Sequence, residues 1–123
     1  MREDKHMINF PQDFLWGTST SGPQTEGRFA GDGKGDNLWD YWYQVEPHRF
    51  RFQEGPGLTS TFYENWEEDI ELLVETGHTA FRTSIQWSRI FPKGRGEVNP
   101  VGVAFYRQVF ERIKSKGIHL MVN

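Results

Sequence analysis

The chain has 123 residues, with 14 Lys and Arg against 17 Asp and Glu, a net charge of −3, and no cysteine. These figures allow one ordinary domain or one piece of a larger one. They give nucleic acid and acidic membranes no electrostatic hold, and they exclude disulfide scaffolds, thiolate zinc sites and cysteine nucleophiles.

The first nine residues are polar and charged, without the apolar core of a signal peptide, and are expected to be a flexible N-terminus. No apolar run reaches membrane-spanning length, so a cytoplasmic protein is expected. Phe14-Leu15-Trp16 reads as a short strand stopped by Gly17. From Thr18 to about Ser60 no period is evident. Gly22-Pro23, Gly31, Gly33, Gly35, Pro47 and Gly55-Pro56-Gly57 mark turns there. Trp39, Tyr41, Trp42, Phe50 and Phe52 are too many aromatics for a disordered linker, so an ordered, functional loop is expected. Gly31 to Gly35 has neither the spacing nor the following helix of a phosphate-binding turn.

Regular structure follows. Thr61 and Glu64 fit a capping box, and Tyr63, Trp66, Ile70 and Leu73 form one face of an amphipathic helix that Gly77 ends. Thr79 to Ile85 reads as a strand with Ala80, Arg82 and Ser84 on one face and Phe81, Thr83 and Ile85 on the other. A loop is expected over Ser88 to Asn99. Asn99-Pro100 then opens a second helix, with Val103, Tyr106, Phe110 and Ile113 on its apolar face and Gly117 as its stop. Ile118 to Val122 is a third strand, followed directly by Asn123. Strands alternating with helices predict a parallel sheet with right-handed crossovers, either doubly wound or a (β/α)₈ barrel. Three strands and two helices make a poor closed domain, so the chain reads as the N-terminal part of a longer one.

Two constellations carry chemistry. Past the first strand, small residues lead to Gln24 and Glu26. An amide there both donates to and accepts from hydroxyls, and barrel enzymes keep their sites just past strand ends. In the second strand Arg82 is the unusual residue, because a buried guanidinium demands a carboxylate partner. His6, His48, His78 and His119 are scattered without metal-ligand spacing, so neither metal nor other cofactor is expected.

Phe14 to Gly27 resembles the N-terminal signature of glycoside hydrolase family 1, the β-glucosidase and 6-phospho-β-glucosidase family. Arg82-Thr83-Ser84-Ile85-Gln86-Trp87-Ser88-Arg89-Ile90-Phe91-Pro92 resembles that family's second-strand segment, and Gly94 to Asn99 and Lys116-Gly117-Ile118 fall where its members have them. The resemblance runs over nearly all of the chain from Phe10. It implies a (β/α)₈ barrel, of which this chain supplies about the first three strands and two helices, and retaining hydrolysis of β-glycosides by two carboxylates about 5–5.5 Å apart. In the family these carboxylates end the fourth and seventh strands. No catalytic carboxylate is therefore expected in this chain, and the acid/base and nucleophile glutamates are expected beyond Asn123. By position Gln24 matches the glutamine that binds hydroxyls of the sugar in the cleavage subsite. Arg82 matches the arginine that orients the nucleophile, and Glu26 is expected to brace its loop. One departure is Pro23, where the family usually has an aromatic residue or Asn; Ser-Gly-Pro-Gln is similar to the 6-phospho-β-glucosidase members and leans the expected substrate that way. A small-molecule β-glycoside or 6-phospho-β-glycoside is therefore the expected partner. The rival functions are a non-catalytic sugar-binding module using its tryptophans and an interaction module that covers its open sheet edge with a partner.

Overall fold

The computed structural model describes residues 9–123. The N-terminal stretch expected to be flexible therefore lies, but for Asn9, outside the described residues. Three parallel strands, β1 (Gly17–Ser19), β2 (Ala80–Thr83) and β3 (His119–Val122), lie in the order β1-β2-β3. Ser19, Arg82 and Met121 stand abreast in the register. Asn123 carries the β2–β3 ladder one step past the strand. Its N–H donates to the Thr83 carbonyl at 3.0 Å, and its carbonyl accepts from the Ile85 N–H at 3.0 Å. A barrel and half of a doubly wound sheet both begin with this strand order.

The helices are α1 (Gly22–Thr25), α2 (Leu38–Val45), α3 (Phe62–Glu75), α4 (Trp87–Ile90) and α5 (Pro100–Ser115). Single 3₁₀ turns occupy Pro47–Arg49 and Arg51–Gln53. The two long helices follow the apolar periods of the sequence and cover one face of the sheet. Phe62 and Ile70 of α3 meet Phe105, Tyr106, Val109 and Ile113 of α5 over Phe81 of β2 and Ile118. Gly77 and Gly117 take φ of 77° and 74° just past α3 and α5, the left-handed conformation that lets a chain leave a helix. Asn99 caps α5 by accepting from the Val101 N–H, with Pro100 in the first turn.

Several boundaries differ from the sequence reading: the strand expected over Thr79 to Ile85 spans only Ala80–Thr83, and the loop expected from Ser88 begins with the single turn of α4. Gly17 begins β1 rather than stopping it. It pairs with Ala80 so closely that a Cβ would lie 2.5 Å from the Ala80 carbonyl oxygen. The apolar run before it instead gathers Phe10, Phe14 and Trp16 into an aromatic cluster with ring centroids 4.6–4.7 Å apart. The capping box expected at Thr61 does not form. Thr61 has φ 60°, not the extended backbone of a box, and its hydroxyl donates to the Ser60 carbonyl and accepts from the Asn65 amide. The box that does form opens α2. The Asn37 side chain accepts from the Trp39 and Asp40 N–H groups, and the Asp40 carboxylate accepts from the Asn37 N–H at 2.9 Å.

Candidate functional site

The chain past β1 turns at once into α1. Ser21 is the extended residue before it, and its hydroxyl donates to the Gln24 amide oxygen at 2.7 Å. Pro23 falls in the first turn, where its missing N–H leaves no helical bond unmade. The Gly22 N–H donates to Ser84 Oγ at 3.1 Å, which ties this turn to the end of β2. Past α2 the chain folds back, and the Phe50 ring packs edge-on against Trp42 and Tyr43 at 5.2 and 5.3 Å. The Tyr43 hydroxyl donates to the Gln53 carbonyl and holds that return.

A cleft of about 620 Å³ lies between these pieces, lined among others by Pro23, Gln24, Trp39, Phe50, Glu54 and Ser84. It combines an exposed amide with two aromatic side chains, one of them Trp39, 48% exposed. That pairing suits a sugar: the amide exchanges hydrogen bonds with hydroxyls, and the rings take the apolar ring face. Gln24 thus lies in the cleft, while Arg82 is not among its lining. Arg82 lies on the uncovered face of the sheet between Ser19 and Met121, exposed, and among the described residues no carboxylate forms an ion pair with it. The buried carboxylate partner that a mid-strand arginine calls for is thus not found between Asn9 and Asn123, and the guanidinium stays solvated instead.

Beneath the cleft is a buried polar network that sequence reasoning found only through Glu26. The Glu26 carboxylate, 1% exposed, accepts from Arg89 Nε at 2.8 Å, from the Tyr106 hydroxyl at 2.8 and 3.0 Å, and from Gln86 Nε2 at 3.3 Å. Arg89, fully buried, also donates to Asp32 at 3.0 Å and to the Gly27 carbonyl at 3.1 Å, and its guanidinium lies 4.1 Å from the Tyr63 ring centre. One arginine therefore gathers three points of the long loop. Asp32 and Lys34 come from the glycine-rich run; Lys34 passes on to Asp40 of α2. Burial pushes the Glu26 carboxyl above its ordinary value of 4.5, against the pull of Arg89. Burial also pushes Asp32 upward, but the N–H groups of Lys34 and Phe29 together with Arg89 outweigh it and hold its carboxyl low. The Tyr106 hydroxyl is driven far above its usual range by burial and by Glu26. Among the described residues no three His, Asp or Glu side chains group as metal ligands.

A polar motif follows the first strand, an aromatic-walled cleft holds its amide, and an exposed arginine stands in the second strand abreast of Ser19. The profile of glycosyl hydrolase family 1 matches residues 6–123. The chain belongs to glycosyl hydrolase family 1. It is 51% identical, over 93% of its length, to "6-phospho-beta-glucosidase GmuD" of Bacillus subtilis (strain 168), of which it covers 24%. It is 43% identical over 89% of its length to "Beta-glucosidase 3" of Arabidopsis thaliana, covering 21% of that protein. Among solved structures, the β-glucosidase of Thermotoga maritima in complex with cyclophellitol superposes over 92% of this chain and 26% of its own, with a TM-score of 0.85 and 36% identity. The chain spans about a quarter of the length of the family members it matches. The likeness decides between the two architectures: β1, β2 and β3 with α3 and α5 are the opening run of a (β/α)₈ barrel. The uncovered face that carries Arg82 is then the barrel's inner face.

Proposed function

We propose that this chain is the opening part of a retaining β-glycosidase that hydrolyses β-glucosides, with 6-phospho-β-glucosides as its substrates. The observation that carries this reading is Gln24 in an aromatic-walled cleft, on a turn fixed by the Gly22–Ser84 bond to the end of the strand that bears Arg82. Gln24 binds hydroxyls of the sugar in the cleavage subsite. Arg82 orients the nucleophilic carboxylate, which with the acid/base carboxylate comes from strands beyond Asn123. Support for the phosphorylated substrate is the Ser-Gly-Pro-Gln turn together with the 51% identity to a protein named a 6-phospho-beta-glucosidase. Such a substrate carries the cytoplasm with it, because a doubly charged phosphate does not cross a bilayer unaided.

The test compares chromogenic β-glucoside and 6-phospho-β-glucoside with two preparations, the 123-residue chain and the longer enzyme that contains it. The chain alone is expected to show no hydrolysis, since acid and nucleophile together supply most of the barrier lowering. The longer enzyme is expected to prefer the phosphorylated glycoside and to release product with retained configuration. Turnover by the purified chain alone overturns the assignment of the carboxylates. Saccharide binding by the chain, with no hydrolysis by the longer protein, identifies a sugar-binding module instead.

A further inference from the structure

Gln86 lies just beyond β2 and is 4% exposed. Its side chain touches neither the cleft nor solvent, yet both of its amide ends are engaged in a fixed sense. Asn37 Oδ1 is occupied by the Trp39 and Asp40 N–H groups, so the nitrogen end of Asn37 faces Gln86 and donates to its Oε1 at 3.0 Å. Gln86 Nε2 is left to face the Glu26 carboxylate, which only accepts. The backbone N–H of Gln86 donates to the Tyr106 hydroxyl at 2.8 Å, and that hydroxyl donates onward to Glu26. The turn that carries Gln24 rests on the same side chain, for a Cβ on Gly22 would lie 2.7 Å from Gln86 Cγ. One side chain thus holds α1 at both ends, by packing under Gly22 and by the bond to Glu26, and its amide also fastens the start of α2, all to the segment just past β2. Gln24 stands between the first two points, and Trp39 just beyond the third.

We propose that Gln86 is a positioning residue that sets the spacing between Gln24 and Trp39, and through it the fit of the cleft to a sugar ring held between amide and indole. This rests on the reading of the cleft as the glycoside site. Gln86 makes no contact with substrate. It acts through Asn37 on Trp39 and through Glu26 and Gly22 on Gln24. Replacing it by Leu removes both amide links while keeping the volume, which frees α2 to shift against α1.

The experiment is steady-state kinetics on the longer enzyme that contains this chain, with the 6-phospho-β-glucoside and the plain β-glucoside, for wild type, Gln86→Leu, Trp39→Ala and the double variant. Gln86→Leu is expected to raise KM about tenfold with kcat within about twofold, the signature of lost ground-state and transition-state binding in equal measure. Trp39→Ala is expected to raise KM as well, and to add nothing in the Gln86→Leu background, because an indole no longer held in place has no binding left to lose. A residue that merely supports folding lowers stability but leaves the two effects on KM additive. Asn37→Ser serves as the second route. Serine still caps α2 but has no amide to reach Gln86, and the same KM rise and the same non-additivity with Trp39→Ala are expected. Additive effects, or an unchanged KM in either variant, overturn the proposal. Absence of hydrolysis of any β-glycoside by the wild-type enzyme overturns the underlying function instead.

Discussion

Arg82 projects from β2 onto the barrel's inner face with its guanidinium exposed, while Arg89 of α4 is wholly enclosed by Glu26, Asp32 and Gly27. An arginine left open toward a site stabilises a neighbouring anion and lowers its pKa. In the longer enzyme Arg82→Met is therefore expected to reduce kcat on the order of 10²-fold or more, and by more than it raises KM. Steady-state kinetics across pH check this, since a misaimed or partly protonated nucleophile also moves the acidic limb upward. Unchanged kcat and an unshifted limb assign Arg82 to structure alone. Glu26 gives a second test. Its folded-state pKa lies above the ordinary 4.5, so the native state binds more protons than the unfolded chain between 4.5 and that folded value. Stability contributed by Glu26 is thus present in full below 4.5 and falls as pH rises through the window. Denaturant melts of wild type and Glu26→Gln are expected to show the wild-type advantage shrinking across that window and flat above it. An advantage that grows with pH means the pair with Arg89 outweighs burial.

At the scale of elements, the residues that precede α2 and α3 predict different sensitivities. The Asn37 side chain satisfies two N–H groups of α2, whereas the Thr61 side chain satisfies no backbone N–H of α3. Asn37→Ala is expected to cost about 1 kcal/mol, and Thr61→Ala only a few tenths, roughly the worth of an exposed side-chain bond. Thermal unfolding of the two variants checks the order. The same contrast explains what could be read in advance. α3 and α5 were legible because fourteen and sixteen residues give several turns of apolar period and each meets a glycine stop. α2 was not, because eight residues give little more than two turns in which a period can be seen, although Asn37-x-x-Asp40 carried the cap in plain view. α1 and α4 are single turns set by what they rest on, Gln86 for one and the Arg89 network for the other, and no local pattern specifies them. Gln24 and Arg82 came from their place in a motif. Arg89 did not stand out, since its carboxylates lie 63 and 57 positions away in sequence.

For the whole molecule the uneven covering of the sheet matters most. α3 and α5 bury one face, while Met121 at 50% exposed and Val122 at 42% lie open on β3 beside an unpaired strand edge. Unpaired edges recruit further strands. The 123-residue chain on its own is expected to self-associate or to melt without cooperativity, as gel filtration and a thermal scan can show. A monomer with a sharp transition means these faces need no cover. The Arg89 network has its own consequence for how the molecule is made. Glu26 leaves the ribosome long before its partners, Arg89 and Tyr106, which follow 63 and 80 residues later. Until Arg89 emerges, Glu26 and Asp32 lack their guanidinium partner, and Tyr106 of α5 completes the network last, so this part of the loop stays hydrated and open. During synthesis the strands and helices can begin to pair from the N-terminus onward, but the polar network that holds Glu26 and Gln86 is complete only when the second crossover helix arrives.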